Sequence, residues 1–280
     1  MACCEMIRIR YSDHYEAFAR LWLPPEPRGA VLYLHGIQSH GLWFEASARR
    51  LAEAGLAVLL PDRRGSGRNE LDRGHVPWAR RLLRDAVECL DDLHVRTRLD
   101  RFHVLGVSWG GKLALALFRY VPARVMSLTL VTPGLFPRVD LSWSQKIRAV
   151  LSALLARRAL FDVPLDDAEL FTSNPQRQQF IRNDSLGLHR VTAGFLSASR
   201  RLDRYARAIG KHRTGCPLHV FLAGRDRIID NAATKAFLRR LHWPSCTITE
   251  YEQAQHTLEF EPDPEPFLAD LAGWYASLLG

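Results

Sequence analysis

Short runs of consecutive apolar residues alternate along this chain with longer segments whose apolar positions recur every three or four residues. Ala30-Val31-Leu32-Tyr33-Leu34, Leu56-Ala57-Val58-Leu59-Leu60 and Leu218-His219-Val220-Phe221-Leu222-Ala223 are nearly continuous apolar stretches. That is how strands buried on both faces read. Val125 to Val131 and Cys246 to Tyr251 complete the series. Helical patterns cover 43–54, about 78–97, 112–118, 231–241 and 264–278. Near the start, 6–11 and 18–23 alternate in polarity, which predicts strands with one face toward solvent. The turn over 24–29, with three prolines and a glycine, ends them.

Strands alternating with helices over this length predict a mostly parallel central sheet of about eight strands, covered by helices on both faces. The alternation stops between 134 and 212. That span shows helical spacing and no strand-like run, and it reads as a helical lid inserted into a core made of 1–133 and 213–280. Ile147, Val150, Leu151, Leu154 and Leu155 form one apolar stripe within it. The stripe is expected to pack on the body of the fold, or in part to line an acyl tunnel with Leu135, Phe136 and Phe195.

One stretch carries the chemistry. Phe102 to Val107 reads as a strand, Gly106-Val107-Ser108-Trp109-Gly110 follows, and a helix begins after it. Strand, Gly-x-Ser-x-Gly and helix are the context of a nucleophile elbow. The motif alone would arise by chance in roughly one such chain in ten at residue frequencies of about 7%. Its partners therefore carry the argument. A serine hydroxyl needs a positioned base, itself oriented by a carboxylate. In a parallel sheet these groups belong on loops at the carboxyl ends of strands. Among eleven histidines, His256 follows the last strand and precedes the last helix. His103 and His219 lie inside strands and His242 at a helix end, where structural roles are expected. Asp226 follows the penultimate strand in Gly224-Arg225-Asp226. Asp230 is the alternative acid, although its place just before a helix suits an N-cap.

Composition narrows the rest. The 280 residues carry a net charge of +8, but the arginines are scattered in pairs rather than massed. That pattern points away from a nucleic-acid partner. No apolar run reaches the ~18 residues of a membrane span. The first residues lack the charged and apolar regions of a secretory signal. Five cysteines without metal-ligand spacing suit a reducing, cytoplasmic setting.

The order Ser108, Asp226, His256 resembles that of the α/β-hydrolases. The chain is similar to them over essentially its full length. It is most similar to the monoacylglycerol lipase/lysophospholipase group, the serine aminopeptidase-like hydrolases. The likeness rests on His35-Gly36 with His40 further on, Asp62-Arg63-Arg64-Gly65-Ser66-Gly67, the elbow, Gly224-Arg225-Asp226 and Gln255-His256. The resemblance implies backbone N–H donors for an oxyanion at Ile37 and Trp109, and a supporting role for His35. The Asp62 loop reads as a tight turn whose carboxylate bonds backbone N–H groups. The resemblance further implies a small-molecule ester substrate of acyl-lipid type, peripheral membrane contact through the lid, and no metal or cofactor. Gln38 and Ser39 depart from the group's pattern, which often has Gly and Glu there, so the oxyanion loop must be shaped differently. The same three residues would also serve a thioesterase, a peptidase or an acyltransferase, and a ligand-binding hydrolase fold without catalysis is the competing class.

Overall fold

A computed structural model describes residues 3–211 and 215–279. An eight-stranded sheet forms its centre. The strands are β1 (Cys4–Arg10), β2 (Glu16–Trp22), β3 (Gly29–Leu34), β4 (Leu56–Pro61), β5 (Phe102–Val107), β6 (Val125–Val131), β9 (Leu218–Ala223) and β10 (Cys246–Tyr251). Two further strands lie outside it, β7 (Leu160–Asp162) and β8 (Arg190–Thr192). The order across the sheet is β1-β2-β4-β3-β5-β6-β9-β10. Every pairing from β4 to β10 is parallel, while β1 with β2 and β2 with β4 are antiparallel. Continuous burial of β3, β4, β5 and β9 matches their apolar runs. Side chains on both faces must be covered, and helices α1 (Glu45–Glu53), α2 (Ala79–Thr97), α3 (Trp109–Tyr120), α7 (Asn231–Leu241) and α8 (Glu265–Leu279) supply the cover.

The alternation read in 18–23 does not give a half-exposed strand. β2 is buried along its whole length after Glu16. Its polar residue, Arg20, is only 1% exposed and is held by Glu45 at 2.8 Å and Asp62 at 3.4 Å. A paired guanidinium can be buried where a solvent-facing one was expected.

The 134–212 span holds α4 (Trp143–Leu155), α5 (Pro175–Arg182) and α6 (Ala193–Arg207). It is not wholly helical, because β7 and β8 pair as an antiparallel ribbon. Three-residue strands are too short for a period to show in sequence. The expected boundary at 212/213 lies outside the described residues. The apolar stripe of α4 also departs from expectation. Ile147, Val150, Leu151, Leu154 and Leu155 are all exposed, from 55% at Leu151 to 86% at Leu155, and Trp143 is exposed beside them. The helix packs through its small residues instead: Ala149 and Ala153 meet Phe161 of β7 and Ala193 of α6. Of the proposed tunnel residues, Leu135 and Phe195 are fully buried and Phe136 packs on Phe237.

The span grips the core at Asp184. Its carboxylate accepts from His40 Nε2 at 2.9 Å, from Trp43 Nε1 at 2.7 Å and from the Leu186 N–H at 3.0 Å. Burial works to raise this carboxyl, yet the bonds from His40 and Trp43 hold it below its ordinary value of 3.8. A depressed folded value contributes stability above the unfolded value and loses it as pH falls through the folded one. Melting temperatures measured from pH 3 to 7 should therefore drop at the acid end in the parent chain. Asp184→Ala should cost about 1–3 kcal/mol near neutrality and flatten that acid limb. Parallel profiles for the two proteins would contradict this account.

Candidate active site

Ser108 sits at the turn between β5 and α3 with φ 51° and ψ −120°, a left-handed conformation that is costly for any residue but glycine. Its two neighbours at ±2 make the turn feasible. A Cβ on Gly106 would lie 2.5 Å from the Gly110 carbonyl oxygen, and one on Gly110 would lie 2.1 Å from that of Leu34. The strained residue is tied on both sides. Its N–H donates to Val131 O at 2.9 Å, and its carbonyl accepts from Gly111 at 2.9 Å and Gly134 at 2.7 Å.

The loops after β9 and β10 bring the other two predicted residues to it. These loops are bonded to each other, Gly224 N–H to Tyr251 O at 2.8 Å and Arg225 N–H to Ala254 O at 3.0 Å. His256 Nε2 lies 2.9 Å from Ser108 Oγ, and His256 Nδ1 lies 2.8 Å from Asp226 Oδ2. The other Asp226 oxygen accepts from the Ile228 and Ile229 N–H groups at 2.8 and 2.9 Å. With the carboxylate acceptor-only, Nδ1 carries the imidazole proton and Nε2 is left to accept from the serine hydroxyl. His256 and Asp226 are buried, and Ser108 is half-buried. Asp230 points elsewhere: it caps α7 by accepting from the Ala233 N–H at 2.9 Å. The inserted span reaches into the same place, since Phe171 O accepts the Thr257 N–H at 2.8 Å.

Two of the other histidines considered as bases are occupied by hydroxyl partners. His103 Nδ1 is 2.8 Å from Ser127 Oγ, and burial pushes its pKa down to about 4. His219 Nε2 is 2.8 Å from Thr249 Oγ1. His242 ends α7 in the left-handed region.

The loop that carries Ile37 lies against the elbow. Trp109 opens α3, so its N–H belongs to the first turn, which has no intrahelical acceptor. Among the described residues no carbonyl accepts the Ile37 N–H. Ser39, one of the two departures from the group's pattern, accepts the Gly36 N–H through Oγ at 3.0 Å. The other, Gln38, is buried and its carbonyl accepts the Leu188 N–H at 2.9 Å. His35 supports the loop from below. Its Nε2 accepts the Arg63 N–H at 2.8 Å, so Nδ1 donates to Gly36 O at 2.8 Å. Burial, reinforced by the Arg63 charge, holds His35 well below the usual histidine range and therefore neutral. Asp62 does bond backbone N–H groups, those of Gly41 at 2.7 Å and Arg68 at 2.9 Å.

One residue escapes a reading of the sequence. Arg63 looks like part of a turn, yet its guanidinium is buried, donates to the Gly36 and Ile37 carbonyls at 2.9 and 3.0 Å, and lies 4.7 Å from the Trp109 ring centroid. Its position two residues past a buried strand is the one signal the sequence offers.

The chain is similar to known lipases over most of its length. The monoacylglycerol lipase of Mycolicibacterium smegmatis is 26% identical over 271 residues, 92% of each chain. The human monoglyceride lipase is 24% identical over 89% of this chain and 82% of its own. The crystal structure of the Paleococcus ferrophilus monoacylglycerol lipase matches with a TM-score of 0.85 at 20% identity, over 94% of this chain and 99% of that one, a likeness of fold. The family model described as serine aminopeptidase, S33 matches residues 25–263, and the chain accordingly belongs to that family of α/β-hydrolases, in the monoacylglycerol lipase group.

Proposed function

We propose that the chain hydrolyses acylglycerol-type esters through an acyl-enzyme on Ser108, with His256 as general base and acid and Asp226 as its orienting carboxylate. The chain is a carboxylic ester hydrolase by its family and relatives. The observation that carries the residue assignment is the unbroken hydrogen-bond chain from Ser108 Oγ through His256 to Asp226.

On this reading His256 Nε2 takes the Ser108 proton as Oγ attacks the ester carbonyl. Asp226 stabilises the imidazolium and holds its tautomer. The N–H groups of Ile37 and Trp109 receive the oxyanion, a donor of this kind contributing about 2.7–4 kcal/mol. His256 then gives its proton to the leaving alcohol. A water, deprotonated by the same nitrogen, cleaves the acyl-enzyme.

The lipid character of the substrate is supported by two things. The similar proteins named above are monoacylglycerol and monoglyceride lipases. The 134–212 span, which we read as a lid on the core, exposes the large apolar side chains of α4. Exposed apolar patches mark contact with apolar partners. Among the described residues no helix is long and apolar enough to cross a membrane, so contact through α4 would be peripheral. The lid would rest on an acyl-lipid surface while single ester molecules enter the site.

Ser108→Ala should abolish hydrolysis of short activated esters without changing the melting temperature by more than a few degrees. A tenth of the parent rate surviving in pure protein would remove Ser108 as nucleophile. Asp226→Asn should lower kcat by about 10⁴, because the amide favours the wrong imidazole tautomer. Asp230→Asn should leave kcat nearly unchanged, Asn being as good an N-cap as Asp. The reverse ranking would move the acid to Asp230.

The lipid reading makes its own prediction. Across p-nitrophenyl esters from acetate upward, below their micellar concentrations, kcat/KM should rise toward medium chains, since each buried methylene contributes up to about 0.8 kcal/mol. A monotonic fall from acetate onward would leave a small-ester hydrolase. Leu154→Ser with Leu155→Ser should spare butyrate hydrolysis and stability but lower activity on monoacylglycerol presented in vesicles.

A further inference from the structure

We infer that Arg63 is a positioning residue of the oxyanion hole, one buried cation that aligns and polarises the Ile37 donor and braces the Trp109 donor at the same time. The inference rests on the reading of those two N–H groups as oxyanion donors.

Gly36 C=O and Ile37 N–H are two ends of one peptide unit. The unit is planar, so fixing its carbonyl fixes the direction of its N–H. That carbonyl accepts twice, from Arg63 Nη1 at 2.9 Å and from His35 Nδ1 at 2.8 Å. Arg63 Nη2 reaches the next carbonyl, Ile37 O, at 3.0 Å. The peptide before is held from its other side by Ser39 Oγ. The Gly36 N–H and the Gly36 and Ile37 carbonyls are thus tied down, while the Ile37 N–H remains free to donate among the described residues. Hydrogen bonds to a peptide carbonyl also polarise the amide and strengthen its N–H as a donor. A cationic donor does this more than a neutral one. The same guanidinium stacks on the Trp109 ring at 4.7 Å and on Phe195 at 5.2 Å. Trp109 is further pinned by its own indole, which donates to Ser199 Oγ at 2.9 Å. Fixing that ring fixes the residue whose backbone supplies the second donor.

Charge balance separates Arg63 from a merely structural arginine. The other buried arginines, Arg20, Arg64 and Arg81, each sit within 3 Å of a carboxylate oxygen. Among the described residues no carboxylate pairs with Arg63, and its Nε lacks a partner. Asp62, next in sequence, spends its oxygens on Gly41, Arg68 and Arg20. A buried cation with no carboxylate in contact is unfavourable for folding. Here the guanidinium stands beside the site where negative charge develops during attack, so its field favours the transition state.

The test compares the full-length parent with Arg63→Met and Arg63→Lys on p-nitrophenyl butyrate. Removing a whole oxyanion donor costs about 10²–10³ in kcat. Misaligning and depolarising one should lower kcat about 10- to 100-fold in Arg63→Met, with KM within about threefold. The Ki of a butyl trifluoromethyl ketone, which forms a tetrahedral adduct on serine, should rise by the same factor as kcat/KM falls. The Ki of the matching non-reactive ether should stay constant. Arg63→Lys keeps the charge but cannot span both carbonyls, and should fall between the two. A kcat within twofold of the parent, a loss confined to KM, or equal weakening of ketone and ether would overturn the proposal. Should Arg63→Met not fold, Arg63→Lys decides it: parent-like kcat and ketone affinity overturn it, and a graded loss of both at an unchanged melting temperature upholds it. Titration with a fluorophosphonate keeps the two readings apart. Stoichiometric labelling of the parent that disappears in Ser108→Ala secures the nucleophile whatever Arg63 does.

Discussion

Gly110 approaches the end of β3 so closely that a single added methyl would overlap the Leu34 carbonyl. The rest of the site depends on that contact. It lets α3 start directly beneath the sheet edge, which forces Ser108 into its left-handed turn. It also sets the loop after β3 against Ser108: a Cβ on Gly36 would stand 3.4 Å from Ser108 Cβ. The strain at Ser108, of order 1–3 kcal/mol, is offset by three backbone bonds, to Val131, Gly111 and Gly134. Those bonds come from β6, α3 and the first residues of the inserted span. A serine held by three elements has little freedom to relax into an ordinary turn.

Around this point the charges divide into two kinds. Arg20, Arg64 and Arg81 are neutralised in place and hold strands and helices together. Among the described residues the Arg63 guanidinium has no carboxylate in contact and donates to the carbonyls of Gly36 and Ile37. The same strand end therefore carries a structural turn at Asp62 and an electrostatic support at its neighbour. His35 is kept neutral between them by burial and by the Arg63 charge, so it acts as a spacer and not as a base.

The inserted span faces two ways. Toward the core it buries apolar side chains such as Phe171, Ile181, Phe195 and Leu202, and it adds specific polar contacts, with Asp184 on His40 and Trp43, Phe171 O on Thr257, and Ser199 on Trp109. Outward, α4 exposes Trp143, Ile147, Val150, Leu151, Leu154 and Leu155. A helix that uses its alanines for packing and leaves its leucines in solvent sits at odds with ordinary core formation. It fits a surface that meets an apolar partner, which is why a lipid substrate agrees with this architecture better than a small soluble ester.

The sequence by itself determined the sheet, because strands buried on both faces leave continuous apolar runs that few other structures produce. It also determined the order of Ser108, Asp226 and His256, since each lies just past a strand end and a parallel sheet gathers such ends at one side. It preferred Asp226 to Asp230 because Asp226 follows the penultimate strand and Asp230 suits an N-cap, and the bond from Ala233 shows that Asp230 caps the helix. Three features were decided only in the tertiary structure. The burial of β2 depends on Glu45 and Asp62 reaching Arg20 from 25 and 42 residues away. The outward turn of the α4 stripe depends on which face of the helix meets Phe161 and Ala193, and periodicity records that two faces differ without saying which one is covered. The role open to Arg63 depends on carbonyls 26 and 27 residues distant. A backbone carbonyl has no signature in sequence, so a side chain whose partners are carbonyls becomes visible only once the chain has folded around it.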